Sequence, residues 1–167
     1  ANNPKRKLQY TWELVRTPGG LVGINTGHAN RIAEEAIAAG AIAELCGYNE
    51  IKREVKYGKN SRIDLLLSGP GKPNCYVEVK SVTLKRNDIA EFPDAITARG
   101  AKHLAELTDQ VAAGSRAGML YMMQRRDANM FPIAADIDPN YAEALAAAMK
   151  AGVEALCYRC RVAPDEI

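Results

Sequence analysis

Alternation of apolar and polar positions is clearest in two adjacent runs, Ser61-Arg62-Ile63-Asp64-Leu65-Leu66-Leu67-Ser68 and Asn74-Cys75-Tyr76-Val77-Glu78-Val79-Lys80-Ser81. The joining segment, Gly69-Pro70-Gly71-Lys72-Pro73, is dense in chain-reversing residues, so the pair predicts a β-hairpin. Closure about Gly71 sets Asp64 opposite Glu78 and Arg62 opposite Lys80. Side chains alternate along a strand, so Ile63, Leu65, Leu67, Cys75, Val77 and Val79 are expected on one apolar face and Asp64, Glu78 and Lys80 on the other.

The same reading extends outward. Residues 8–15 and 21–25 flank Thr17-Pro18-Gly19-Gly20, an expected opening hairpin. Residues 31–39 carry helical spacing and stop at Gly40, and residues 50–56 alternate as a strand feeding the central hairpin. Ile96, Leu104, Leu107 and Val111 predict a helix over 94–113, with Gly114 as its stop. Met119-Leu120-Tyr121-Met122-Met123 reads as a buried strand, 141–150 as a helix after Asp138-Pro139, and 153–162 as a last strand. The order α, β, β, β, α, β, α, β predicts a mixed α/β fold, a central sheet flanked by helices.

At 167 residues the chain suits one compact domain. A net charge of +2 excludes a strongly basic, histone-like binder but permits a local patch. Lys5, Arg6 and Lys7 open the chain, and Lys52, Arg53, Lys56, Lys59 and Arg62 outnumber Glu50 and Glu54 just ahead of the acidic pair. That distribution suits phosphate backbones and equally suits lysine-guarded strand edges. No apolar run approaches a membrane span and no leader is recognisable, which leads us to expect a cytoplasmic protein with no membrane partner. Cys157 and Cys160, three apart on an expected strand, point to opposite faces and read as reduced structural thiols.

Two carboxylates facing across a hairpin destabilise it unless a cation or proton lies between them. A hard cation such as Mg²⁺ takes one or two protein carboxylates and fills its remaining positions with water and phosphate, a demand Asp64 and Glu78 meet. Lys80, on the same face, is placed to orient or help deprotonate a water and to offset charge on a phosphate, so phosphodiester hydrolysis is the indicated chemistry. An ordinary polar face with a cross-strand ion pair uses the same residues. Helical phase leaves Glu34 and Glu35 equivalent as further ligands. Gln124 is a candidate phosphate or water contact at a strand end. Lys102 and His103 read as surface positions from which a backbone phosphate is in reach.

Asp64, followed after thirteen residues by Glu78-Val79-Lys80 in this element order, resembles the PD-(D/E)XK nuclease superfamily, with Ile63 in place of its proline. Longer strings resemble the sugar fermentation stimulation protein A family: Gly47-Tyr48, Arg53-Glu54-Val55-Lys56-Tyr57-Gly58, Ser61-Arg62-Ile63-Asp64, Tyr76 to Leu84, Phe92-Pro93-Asp94-Ala95 and Arg99-Gly100-Ala101-Lys102-His103-Leu104. The resemblance implies a restriction-endonuclease-like αβββαβ core over 26–167. It makes 1–25 the remnant of an N-terminal OB-like domain and its join. Its pattern of an asparagine followed by a Glu-Ala pair falls on Asn30 and Glu35-Ala36, selecting Glu35 as the third acidic candidate. It implies DNA as partner, Mg²⁺ or Mn²⁺ as cofactor and catalysis by Asp64, Glu78 and Lys80; with DNA as partner, the charge distribution and positions read above make Lys52, Arg53, Lys56, Arg62, Lys102 and Gln124 the expected contacts. The alternative it carries is a non-catalytic, sequence-nonspecific DNA-binding regulator of maltose metabolism.

Overall fold

A computed structural model describes residues 7, 8 and 10–164; Lys5, Arg6 and most of the chain's first few residues lie outside them. The elements are β1 (Leu14–Thr17), β2 (Gly20–Gly23), α1 (Ala29–Ala38), β3 (Glu50–Tyr57), β4 (Ser61–Ser68), β5 (Cys75–Val82), β6 (Leu84–Arg86), β7 (Ile89–Glu91), α2 (Ala98–Ala112), β8 (Arg116–Met123), α3 (Pro139–Lys150) and β9 (Glu154–Arg159). β3, β4, β5, β8 and β9 form one sheet in that spatial order, antiparallel from β3 to β5 and parallel from β5 to β9. This is the expected mixed α/β architecture. The helical crossovers carried by α2 and α3 are what allow β5, β8 and β9 to run parallel.

Both faces of the sheet are covered. On one, Ile32, Ala33 and Ile37 of α1 meet Leu65, Leu67, Cys75, Val77, Val79, Leu120 and Met122. On the other, Leu104 and Leu107 of α2 and Tyr141 and Leu145 of α3 meet Ile63, Val82, Met119 and Tyr121. β8 therefore sends alternate residues into two cores, which is why its sequence is a continuous apolar run. Among the described residues no helix is long and apolar enough to cross a membrane.

Where β4 and β5 pair, the register matches the sequence reading, with Leu65 opposite Val77, Leu66 opposite Tyr76 and Leu67 opposite Cys75, but the expected pairs of Asp64 with Glu78 and Arg62 with Lys80 do not form in the ladder. The expected face of Ile63 does not hold: it packs on the α2 side while Leu65 and Leu67 pack on the α1 side. β3 changes phase at the matching place, since Ile51 packs with the α1 cluster and Val55 and Tyr57 with the α2 cluster. Between them Glu54 takes φ +53°, and Glu54 and Asp64 are the one gap in the β3–β4 ladder. A left-handed residue interrupts the pleat, so simple alternation fails at the very position of the first acid.

Other departures are local. The opening hairpin is shorter than expected: of its first arm only Leu14 onward is strand, and Leu8, Tyr10 and Trp12 are exposed. α2 starts at Ala98 rather than 94 because Thr97 is the cap, its hydroxyl accepting from Gly100 N at 3.1 Å. Ile96, expected in the core, is 78% exposed. The last strand is shorter than the expected 153–162, ending at Arg159, so Cys157 lies in β9 and is exposed while Cys160 lies just past it and is buried; both are free thiols.

Candidate metal and phosphate site

β4 and β5 part company at the acids. Beyond Leu65 the ladder ends, and Val79 N–H donates instead to Asp64 Oδ2 at 2.8 Å. Asp64 Oδ1 accepts from Asn30 Nδ2 of α1, also at 2.8 Å. A side chain thus substitutes for a backbone acceptor and fixes the carboxylate. Burial and the Glu78 charge raise Asp64 above the usual carboxylate range, and these two donors and Lys80 only partly offset that.

Glu78 is 3% exposed. Its Oε1 accepts from Lys80 Nζ at 2.7 Å and faces His103 Nδ1 on α2. Burial pushes Glu78 upward, but the His103 hydrogen bond and the Lys80 ammonium outweigh it and hold the carboxyl below its ordinary value. Its second oxygen, Oε2, is buried and has no partner. A bare, buried carboxylate oxygen costs free energy that a cation would recover. Tyr57 stands in the same neighbourhood: burial, then the charges of Glu78, Glu106 and Asp64, push its phenol far above its usual range. Tyr57 Oη and Glu106 Oε2 are also buried without partners.

The donor set suits a hard cation. Asp64 offers two oxygens that each carry a single hydrogen bond, Glu78 offers a bare one, and Lys80 offsets one of the two negative charges. Among the described residues no group of three or more His, Cys, Asp or Glu side chains is arranged to hold a metal unaided.

The remaining sequence candidates separate. Glu35 is exposed, its carboxylate 3.7 Å from Arg31 Nε, and α1 brings the amide of Asn30 to the acidic pair rather than the expected carboxylate. Glu34 lies 3.7 Å from Arg53, and Lys52 pairs with Glu50 at 3.1 Å. Lys56 and Arg62 face each other in the β3–β4 ladder and line a cleft of about 390 Å³ with Tyr57, Gly58, Asn60 and Ser61. Lys102 is exposed and held by the Lys59 carbonyl and Glu106. Gln124 is fully buried, donating to Ser81 Oγ at 2.7 Å, so it is no surface contact. A second cleft, of about 490 Å³, carries Arg16 and Arg126 but no carboxylate and shares no residue with the acidic pair.

His103 is the main residue that sequence reasoning misplaced: it is 3% exposed, not a surface position. The signal was its spacing, three residues after Gly100 and four before Leu107, both buried.

Residues 27–166 match the sugar fermentation stimulation protein RE domain. The full chain is 64% identical to the sugar fermentation stimulation protein homolog of Paramagnetospirillum magneticum, covering 71% of that protein. Against the Rhodospirillum centenum homolog it is 59% identical over 99% of the chain, again covering 71% of the relative. Among solved structures, Pyrococcus furiosus SfsA in complex with Ca²⁺ superposes with a TM-score of 0.83 at 30% identity, over 96% of this chain and 69% of that one. With the match spanning nearly the whole chain and relatives this similar, the chain belongs to the sugar fermentation stimulation protein family.

Proposed function

We propose that this chain binds DNA and hydrolyses phosphodiester bonds with the help of Mg²⁺ or Mn²⁺ held by Asp64 and Glu78. The observation that carries the reading is the partnerless, buried Glu78 Oε2, together with a second carboxylate, Asp64, that feels the Glu78 charge. The Pyrococcus furiosus relative was solved as a complex with Ca²⁺, another hard, oxygen-seeking cation, which supports divalent binding here. When bound, such an ion polarises a phosphoryl oxygen and lowers the pKa of a coordinated water. Lys80 uses one of its three donors on Glu78 and keeps two for water and a phosphate oxygen. Asn30 and the Val79 amide hold Asp64 in place so that it need not reorganise when substrate arrives.

Lys56 and Arg62 are the residues best suited to DNA. Like charges directly opposite on a ladder repel, and a backbone phosphate between them removes the conflict. Lys52 and Arg53 flank them on the same strand but already have acidic neighbours.

Cleavage of labelled single- and double-stranded DNA, with Mg²⁺, Mn²⁺ or EDTA, tests the proposal on wild type and Lys80→Ala. Cleavage is expected only with metal and should fall by roughly 100-fold or more in Lys80→Ala. Equal rates in the two proteins, or cleavage in EDTA, would refute it. Salt-sensitive DNA binding with no cleavage under any metal would instead support the regulatory alternative.

A further inference from the structure

We propose that His103 is a positioning residue for Glu78, holding one carboxylate oxygen so that the other is presented bare to the cation; this rests on the metal reading above. The arrangement begins on α2, where Arg99 and His103 are one turn apart. Arg99 Nε lies 3.3 Å from His103 Nε2, and an arginine can only donate, so Nε2 must accept. A neutral imidazole carries one proton, which is thereby left on Nδ1, the nitrogen that faces Glu78 Oε1. Arg99 therefore selects the tautomer and His103 donates to the acid.

Lys80 Nζ donates to that same oxygen. With both anchors on Oε1 the carboxylate is held from two directions, and the buried Oε2 receives nothing. If these donors served only to satisfy a buried acid, spreading them over both oxygens would be the lower-energy choice. Their convergence makes sense when Oε2 has another occupant. Partners of this kind, which orient a ligating group without touching the ion, commonly govern affinity.

The test uses the full chain with Mn²⁺ as the calorimetric probe and two variants, His103→Asn and His103→Leu. Asparagine places its Nδ2 donor where Nδ1 stands, whereas leucine keeps bulk and removes the donor. Mn²⁺ affinity should fall roughly 10- to 100-fold in His103→Leu and stay within about threefold of wild type in His103→Asn. Long-range ¹H–¹⁵N spectra of the metal-free wild type should show His103 with its proton on Nδ1 and none on Nε2. Unchanged affinity in His103→Leu, equal losses in both variants, or an Nε2–H tautomer would each overturn the assignment. A wild-type protein that takes up no Mn²⁺ would overturn the metal reading as well, and is distinguished from those outcomes because it is seen before any substitution is made.

Discussion

Asp64→Asn should stabilise the metal-free protein while weakening its hold on a divalent ion. The substitution keeps the shape of the side chain. The oxygen of the introduced amide can still accept from Val79 N–H, and turning the Asn30 amide over lets the introduced nitrogen donate to it, so both 2.8 Å contacts survive. What disappears is a negative charge that burial and Glu78 disfavour, as the raised pKa of Asp64 records. Removing a charge so placed belongs with substitutions that gain on the order of 1 kcal/mol, equivalent to about 2–4 °C in Tm for a chain of this size. The sign of the pH dependence follows from linkage. With a folded-state pKa above the unfolded one, Asp64 imposes no cost while both states hold the proton, and the cost grows as pH rises through the folded-state value. The gain should therefore vanish below about pH 4, near the ordinary aspartate value, and grow as pH rises from there. Thermal unfolding in EDTA, followed by circular dichroism across that range, is the assay. A lower Tm for the variant at neutral pH, or a gain that persists undiminished into acid, would refute the reasoning.

Substitutions at two backbone positions and at the basic pair extend the tests. Gly58 has φ +54°, and an added Cβ would stand 3.0 Å from the Glu106 carboxyl, so Gly58→Ala should cost roughly 1–2 kcal/mol from backbone strain alone, read as a lower midpoint in urea. At Glu54, φ +53°, Glu54→Gly should leave Tm unchanged or higher while Glu54→Val lowers it by several degrees, about 2 kcal/mol, because a β-branched residue resists the left-handed region. Replacing Lys56 and Arg62 together by Ala should weaken DNA binding at low salt and shrink the slope of log affinity against log salt by about two, measured by fluorescence anisotropy.

Much of the fold was legible because it depends on patterns a sequence carries openly. The turn after Ser68 fixes the β4–β5 register, and the period of two there assigns most faces correctly. The apolar run at Met119–Met123 betrays a strand buried on both sides. Ile63 escaped because the phase change at Asp64 is a three-strand event: it follows from a left-handed residue on β3 and a side chain that takes over a ladder hydrogen bond from β5. The short β6–β7 hairpin was missed although its Asn87-Asp88 turn is a recognisable signal, with Asn87 at φ +56°. Asp64, Glu78 and Lys80 were singled out from strand spacing. The residues that hold them were not, since Asn30 reaches Asp64 across 34 positions and His103 reaches Glu78 across 25. Glu35 shows the converse: a motif pattern selected it, yet its place on α1 turns it to Arg31 and solvent.

The central claim, that Asp64 and Glu78 together hold a divalent ion, is tested most directly by calorimetric titration of Mn²⁺ into wild type, Asp64→Asn and Glu78→Gln. The account predicts saturable binding by wild type that each single substitution weakens by roughly tenfold or more. Equal Mn²⁺ affinity in all three proteins would contradict it.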